Sequence, residues 1–142
     1  MEGRRVTREL HVVVHGRPAP QGSKNSYGRN VVEASKQLMP WREAVKWAAL
    51  KATALGAAWE PLAGPLSLDV TFHLPRPASA PKRRWSPDRQ PDLDKLLRSL
   101  DALTEVNVWL DDAQVIDVTA RKRYADHRRG PGADIHVWEV TC

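Results

Sequence analysis

Four aspartates stand out by type and spacing: Asp92 and Asp94 in the run Pro91-Asp92-Leu93-Asp94, and the adjacent pair Asp111-Asp112 at the end of a short apolar segment. Hard carboxylate oxygens in this number suit Mg²⁺ or Mn²⁺, and such an ion supplies the Lewis acidity that phosphodiester hydrolysis needs near neutral pH. Without an ion the carboxylates would repel one another and any nucleic-acid backbone; with one they would become a positive centre. A plainer reading has Asp92 as a helix cap and Asp111-Asp112 as turn residues. Spacing leaves both open.

The acids lie in a basic chain. Its 142 residues carry 22 Lys+Arg against 17 Asp+Glu, a net charge of +5, and such an excess favours a polyanionic partner through phosphate attraction and counterion release. Arg76, Lys82, Arg83, Arg84 and Arg89 crowd one proline-rich stretch, and Arg121, Lys122, Arg123, Arg128 and Arg129 another, with the acids between them. Trp85, inside the first stretch, is placed either to stack on an unpaired base or wedge into a branch point, or to fold back as an anchor.

Other chemistries fit less well. Gly22-Ser23-Lys24 lacks the spacing of a phosphate-binding loop, so no nucleotide cofactor is expected. No Cys/His cluster has zinc-ligand spacing, and the histidines at 11, 15, 73, 127 and 136 are assigned no role. The single cysteine is Cys142, no apolar run approaches the roughly 20 residues of a membrane span, and the arginine-rich start lacks the apolar stretch of an export signal. A cytoplasmic chain with no membrane association is the expectation.

The elements that must position these residues follow from periodicity. Leu10 to His15 reads as a strand ended by Gly16, Pro18 and Pro20, followed by a polar loop from Gln21 to Asn30. Pro40 suits the first turn of a helix carrying Trp41, Val45, Ala48 and Ala52 as its apolar stripe. Leu66 to Leu74 alternates apolar and polar residues throughout, the pattern of a strand with one wet face. Residues 75–91 hold five prolines and five basic residues, a long loop of the kind that is either functional or disordered. Asp92 caps a second helix with Leu93, Leu96, Leu97, Leu100 and Leu103 on one side and Asp94, Arg98 and Asp101 in a row on the other. Val106 to Leu110 is a short apolar segment. Val115 to Tyr124 is a strand with Ile116, Val118 and Ala120 on one face, Gly130-Pro131-Gly132 is a turn, and Ile135 to Val140 is a closing strand. The order lacks the regular alternation of a doubly wound sheet. It predicts an α+β fold, one domain over residues 1–142, with a mixed sheet packed against two main helices in two layers. The tryptophans at 41, 47, 59, 109 and 138 are expected in the core or an interface.

The run from Pro91-Asp92-Leu93-Asp94-Lys95-Leu96-Leu97-Arg98 to Asp101-Ala102-Leu103, then Val108-Trp109-Leu110-Asp111-Asp112-Ala113-Gln114-Val115-Ile116-Asp117 and Lys122, resembles the signature of RusA-like endodeoxyribonucleases, a family of Holliday junction resolvases. Weaker likeness extends to Gly16 and Pro18, to Ser35-Lys36, and to Phe72-Leu74-Pro75 with the basic loop after it. The resemblance implies that Asp92, Asp94 and Asp112 are metal-binding catalytic residues, with Asp111, Asp101 and Lys122 in support. Two positions depart from the family pattern: Arg98 stands where a lysine is usual, and Lys95 where asparagine often follows the second aspartate. Arginine stabilises phosphoryl charge but cannot exchange a proton, so Arg98 or Lys95 serves if the family lysine acts as a fixed positive charge. If that lysine transfers a proton instead, the task falls to Lys95 or Lys122, or activity is lost.

The implied activity is Mg²⁺-dependent symmetric nicking of branched DNA, a four-way junction foremost, by a homodimer, with Arg76, Lys82, Arg83, Arg84, Trp85 and Arg89 as DNA contacts. Two alternatives stay in view: a junction-binding protein with weak or no catalysis, and a less selective nuclease acting on flaps or single strands. Family members often belong to phages and prophages, where they process recombination, repair or replication intermediates.

Overall fold

The strand Leu66–Leu74 (β2) shows how the sequence sets the layers. Its alternate residues Leu66, Leu68, Val70, Phe72 and Leu74 are all buried, while Asp69, Thr71 and His73 between them stay partly exposed. A period of two places those sets on opposite faces, so one side of the sheet is dry and the other wet. The computed structural model describes residues 8–22, 29–56 and 58–142. Most of the arginine-rich start, most of the expected polar loop and the Ser35 side chain lie outside the described residues.

Four strands form one mixed sheet: β1 (Glu9–His15), β2, β3 (Val115–Tyr124) and β4 (Gly132–Glu139), in the order β1-β4-β2-β3. β4 runs antiparallel to both neighbours, and β3 runs parallel to β2 along the edge. The helices are α1 (Arg29–Ala52) and a second helical segment made of α2 (Leu93–Arg98), a 3₁₀ turn (Ser99–Asp101) and α3 (Ala102–Glu105). The fold is α+β, as the sequence predicts.

The core lies between the sheet and these helices. From α1 come Trp41, Val45, Ala48 and Ala49, from the second segment Leu96, Leu100 and Leu103, and from the sheet Val12, Val14, Val70, Phe72, Ile135 and Val137. Burying a side chain such as Phe72 or Leu96 stabilises by roughly 1.5–3 kcal/mol. One polar bond links the helices inside this layer. The Trp41 indole donates to Ser99 Oγ at 2.9 Å, and that hydroxyl donates to the Leu96 carbonyl at 2.6 Å.

Four local expectations are corrected. Pro40 lies inside α1, which begins at Arg29; a proline removes one backbone donor, and the buried stripe that follows holds the helix through it. β4 begins at Gly132, ahead of Ile135. A Cβ on Gly132 would sit 1.9 Å from the Val14 carbonyl oxygen, so this glycine admits the close approach of β1 that starts the pairing. Ile116 is 64% exposed, because the register slips between Leu66 and Ser67, whose partners are Val115 and Asp117, and the extra residue bulges out. Trp47 is likewise exposed. No helix among the described residues is long and apolar enough to cross a membrane.

Candidate functional site

The second helical segment crosses from β2 to β3 over the dry face of the sheet, and with Leu68 of β2 and Val115 and Val118 of β3 it borders an open cleft of about 380 Å³. Leu68, Leu97, Leu100, Trp109, Val115 and Val118 supply the apolar walls; Asp94, Arg98, Asp101 and Asp112 supply the charge. Asp94 is one residue into α2, and Asp112 opens the 3₁₀ turn Asp112–Gln114 just before β3. Residues far apart in sequence thus share one cleft because the β2-to-β3 crossover returns the chain beside its own helix.

Asp94 and Asp112 are exposed, and among the described residues neither carboxylate has a hydrogen bond or ion pair. The neighbouring acids are engaged. Asp111 Oδ1 accepts from the Ala113 amide at 2.9 Å, while Gln114 Oε1 accepts from the Asp111 amide at 3.0 Å, a reciprocal cap. Gln114 also donates to the carbonyls of Leu62 and Gly64 at 3.1 and 3.0 Å. Asp111 therefore shapes the turn that presents Asp112.

Asp92 holds the N-cap position of α2 in extended conformation, but its side chain makes no capping hydrogen bond. Its carboxylate lies 3.6 Å from Lys95 Nζ, and it is not among the residues lining the cleft. Lys122, on β3, donates to the carbonyls of Arg89 and Pro91 at 2.7 and 2.9 Å. That pins the backbone leading into Asp92. The three aspartates do not converge within 4.8 Å of one another, among the described residues. The donor set nevertheless suits a hard divalent ion: two carboxylates on one cleft without partners among the described residues, and a third, loosely paired, at the head of the helix that carries Asp94.

Arg98 stands at the cleft, exposed, with no ion pair to Asp94 or any other described acid. Asp101 instead pairs with Arg42 of α1, which also binds Glu105, while Lys46 reaches Glu105 at 2.7 Å. The Arg42 side chain is only 12% exposed. Burial pulls its pKa down, but the hydrogen bond and charge of Asp101, then of Glu105, outweigh this and raise it. This network locks α1 to the helical segment carrying the cleft. Trp109, in the cleft wall, has a buried indole N–H without a hydrogen-bond partner among the described residues.

The basic loop divides in two. Arg76, itself exposed, folds back on the loop, donating to the carbonyls of Arg84 and Pro81 and lying 5.2 Å from the Tyr124 ring centre. Arg84 and Arg89 stand 3.9 and 3.7 Å from Asp88. Lys82, Arg83 and Trp85 are exposed, Trp85 to 86%. Arg76 thus braces a loop whose tip offers the other three to solvent.

The structure also joins residues that sequence spacing kept apart. His11 of β1 and His136 of β4 are register partners on the wet face of the sheet, with Glu9 hydrogen-bonded to His136 at 2.9 Å. A long sequence separation hid them; only the pairing of the first and last strands could have revealed the cluster.

Comparison with known proteins gives a family and one relative. The family model described as "Endodeoxyribonuclease RusA" matches residues 15–137. An uncharacterised protein of Bacillus subtilis (strain 168), YqaN, is 29% identical over a 92-residue alignment that covers 57% of this chain. The match spans 62% of that relative's length.

Proposed function

This chain belongs to the RusA endodeoxyribonuclease family, and on that premise we propose that it is a divalent-metal-dependent endonuclease that cuts branched DNA, four-way junctions foremost. The observation that carries the proposal is the pair of carboxylates, Asp94 and Asp112, that share one cleft and have no partner among the described residues, in a chain with net charge +5. Two exposed acids left without cations in so basic a protein are explained by a cation that binds them together.

In this reading Asp94 and Asp112 hold the ion, with Asp92 completing the ligand set by a turn of its uncapped side chain. A bound Mg²⁺ or Mn²⁺ supplies Lewis acidity toward the phosphodiester and lowers the pKa of water. Arg98 neutralises charge that develops on the phosphoryl oxygens, and being permanently protonated it leaves proton transfer to other groups. Lys95, near Asp92, supplies a second positive charge. Asp111 and Lys122 position the turn and the segment that carry the ligands, and Asp101 holds the helix to α1. Lys82, Arg83, Arg84, Arg89 and Trp85 on the basic loop grip the arms, mainly through phosphates, which favours recognition of shape over base sequence. A homodimer suits this task, because a junction has two-fold symmetry and paired sites would nick opposing strands.

The test incubates the purified chain and its Asp94→Asn variant with a labelled four-way junction, a flap, a duplex and a single strand, each with Mg²⁺ and with chelator. Metal-dependent symmetric nicks in the junction, lost in Asp94→Asn while gel retention persists, support the proposal. The arginine at position 98 favours one second reading, a junction binder without cutting. Retention by wild type with no nicks under any metal would establish that reading, and equal cutting by Asp94→Asn would refute the site.

A further inference from the structure

We propose that Glu9, His11 and His136 form a Zn²⁺ site on the wet face of the sheet, clipping β1 to β4 at a place separate from the aspartate cleft. One ligand atom from each of the three lies within 4.8 Å of the others, and among the described residues this is the group that converges so. The geometry follows from strand pairing. His11 and His136 stand directly opposite each other in the antiparallel β1/β4 ladder, and Glu9 is two residues before His11. All three side chains therefore leave the same face. The cleft lies against the other face, where Leu68 and Val118 point.

The donor set selects the ion. Two imidazole nitrogens and one carboxylate oxygen suit Zn²⁺ and its borderline neighbours, whereas Mg²⁺ prefers oxygen and retained water. Glu9 already faces both rings: its oxygens lie 2.9 Å from His136 Nε2 and 3.9 Å from His11 Nε2. The two rings are stacked, with centroids 3.9 Å apart and planes 8° apart. Parallel rings cannot both aim in-plane lone pairs at one point, so binding requires them to turn. The His11 ring, 65% open to solvent, is free to turn, while the His136 ring is half-buried beside Trp138. In a tetrahedral zinc site with bonds of about 2.0–2.1 Å, ligand atoms stand roughly 3.4 Å apart. The closure needed is within reach of side-chain rotation, while the paired strands keep the Cα positions fixed. Asp69, His136's partner on β2, is held by Arg121 at 2.9 Å and stays outside the ligand set. Three protein ligands leave a fourth position open to water.

The site has its own reporter, since the Trp138 ring centre lies 4.5 Å from that of His136. The test titrates the tag-free full chain with ZnCl₂ in saturating Mg²⁺, following heat and tryptophan fluorescence, for wild type, His11→Ala, His136→Ala and Asp94→Asn. One Zn²⁺ should bind per chain, and wild type should melt at a higher temperature with zinc than without. Loss of a hydrogen-bond partner around a metal ligand costs roughly 10–100-fold in affinity, so removing either ligand itself should cost at least that much and erase the thermal shift. Asp94→Asn should bind zinc like wild type. Far-UV circular dichroism checks that the exposed-site variants are folded, and Glu9→Gln provides a milder third variant. No zinc binding by wild type, unchanged affinity in both histidine variants, or loss of zinc binding in Asp94→Asn would each overturn the proposal. Its failure would leave the junction-cleavage reading untouched, because that reading is decided by nicks and by Asp94.

Discussion

The ammonium of Lys122 donates a 2.9 Å hydrogen bond to the carbonyl of Pro91, the residue before Asp92, and a second of 2.7 Å to the carbonyl of Arg89. An edge strand thereby holds the entry to the helix that carries Asp92 and Asp94, two of the candidate ligands. Lys122→Met keeps the aliphatic stem and removes the donors. Since misplacing reacting groups by about 1 Å can cost on the order of 10²-fold in rate, single-turnover junction cleavage should fall by roughly 10–100-fold, with junction affinity nearly unchanged. Lys122→Arg, which can still donate to both carbonyls, should recover most of the rate. Wild-type cleavage by Lys122→Met at equal folded fraction would show that this tether does not position the site.

Arg98 separates charge stabilisation from proton transfer. It borders the cleft without an ion-pair partner among the described residues, so its removal should leave folding intact. Losing one preorganised donor to a developing oxyanion typically costs about 10²–10³ in rate, and Arg98→Ala should lose that much in single-turnover cleavage. Arg98→Lys restores a positive charge and should cut within about tenfold of wild type. Should Arg98→Ala cleave normally, the residue stands outside the machinery.

Strands β2 and β3 were legible because they carry a clean period: they match their expected bounds of Leu66–Leu74 and Val115–Tyr124, whereas α1 begins at Arg29, well ahead of the expected start at Pro40. What sequence could not supply was the contribution of contacts made at a distance. The bulge at Ile116 is set by its pairing with β2, and the early start of β4 depends on β1 passing over Gly132. At the site, spacing marked Asp92, Asp94 and Asp112 alike, but only tertiary structure distinguishes them. Asp94 and Asp112 share the cleft, whereas Asp92 stays outside its lining and beside Lys95. Asp101, one of a row on the helix in sequence, is turned to α1 by Arg42. The histidine cluster was invisible, because antiparallel pairing of the terminal strands brings its members together.

Glu105 makes the helix-to-helix network sensitive to pH. Its carboxyl is held below the ordinary value of 4.5 chiefly by the hydrogen bond from Lys46, against the opposing effect of burial and with help from the Arg42 charge. A carboxyl whose pKa is lower in the folded state contributes stability above its unfolded pKa and loses it as pH falls through the folded value. Glu105→Gln should therefore melt below wild type at pH 7, and the gap should close as pH falls below about 4.5 and through the lower folded value. Thermal melts across this range decide the matter. A gap that stays constant with pH would mean that Glu105 acts through packing and not through charge.

Trp85 and its cationic neighbours should leave different signatures on DNA binding. The ring is 86% exposed, so Trp85→Ala should leave the melting temperature unchanged. If the ring stacks on bases unpaired at a branch point, the substitution should cost about 1–3 kcal/mol in junction affinity and little on continuous duplex. Lys82→Ala or Arg83→Ala removes a phosphate contact instead. Each should weaken junction and duplex binding alike and reduce the salt dependence of log K by about 1. Fluorescence anisotropy with both DNAs over a range of salt concentrations distinguishes the two patterns. Equal losses on junction and duplex for Trp85→Ala would assign the ring to general backbone contact, and no loss on either would remove it from the DNA-binding face, leaving junction selectivity to the spacing of the basic side chains.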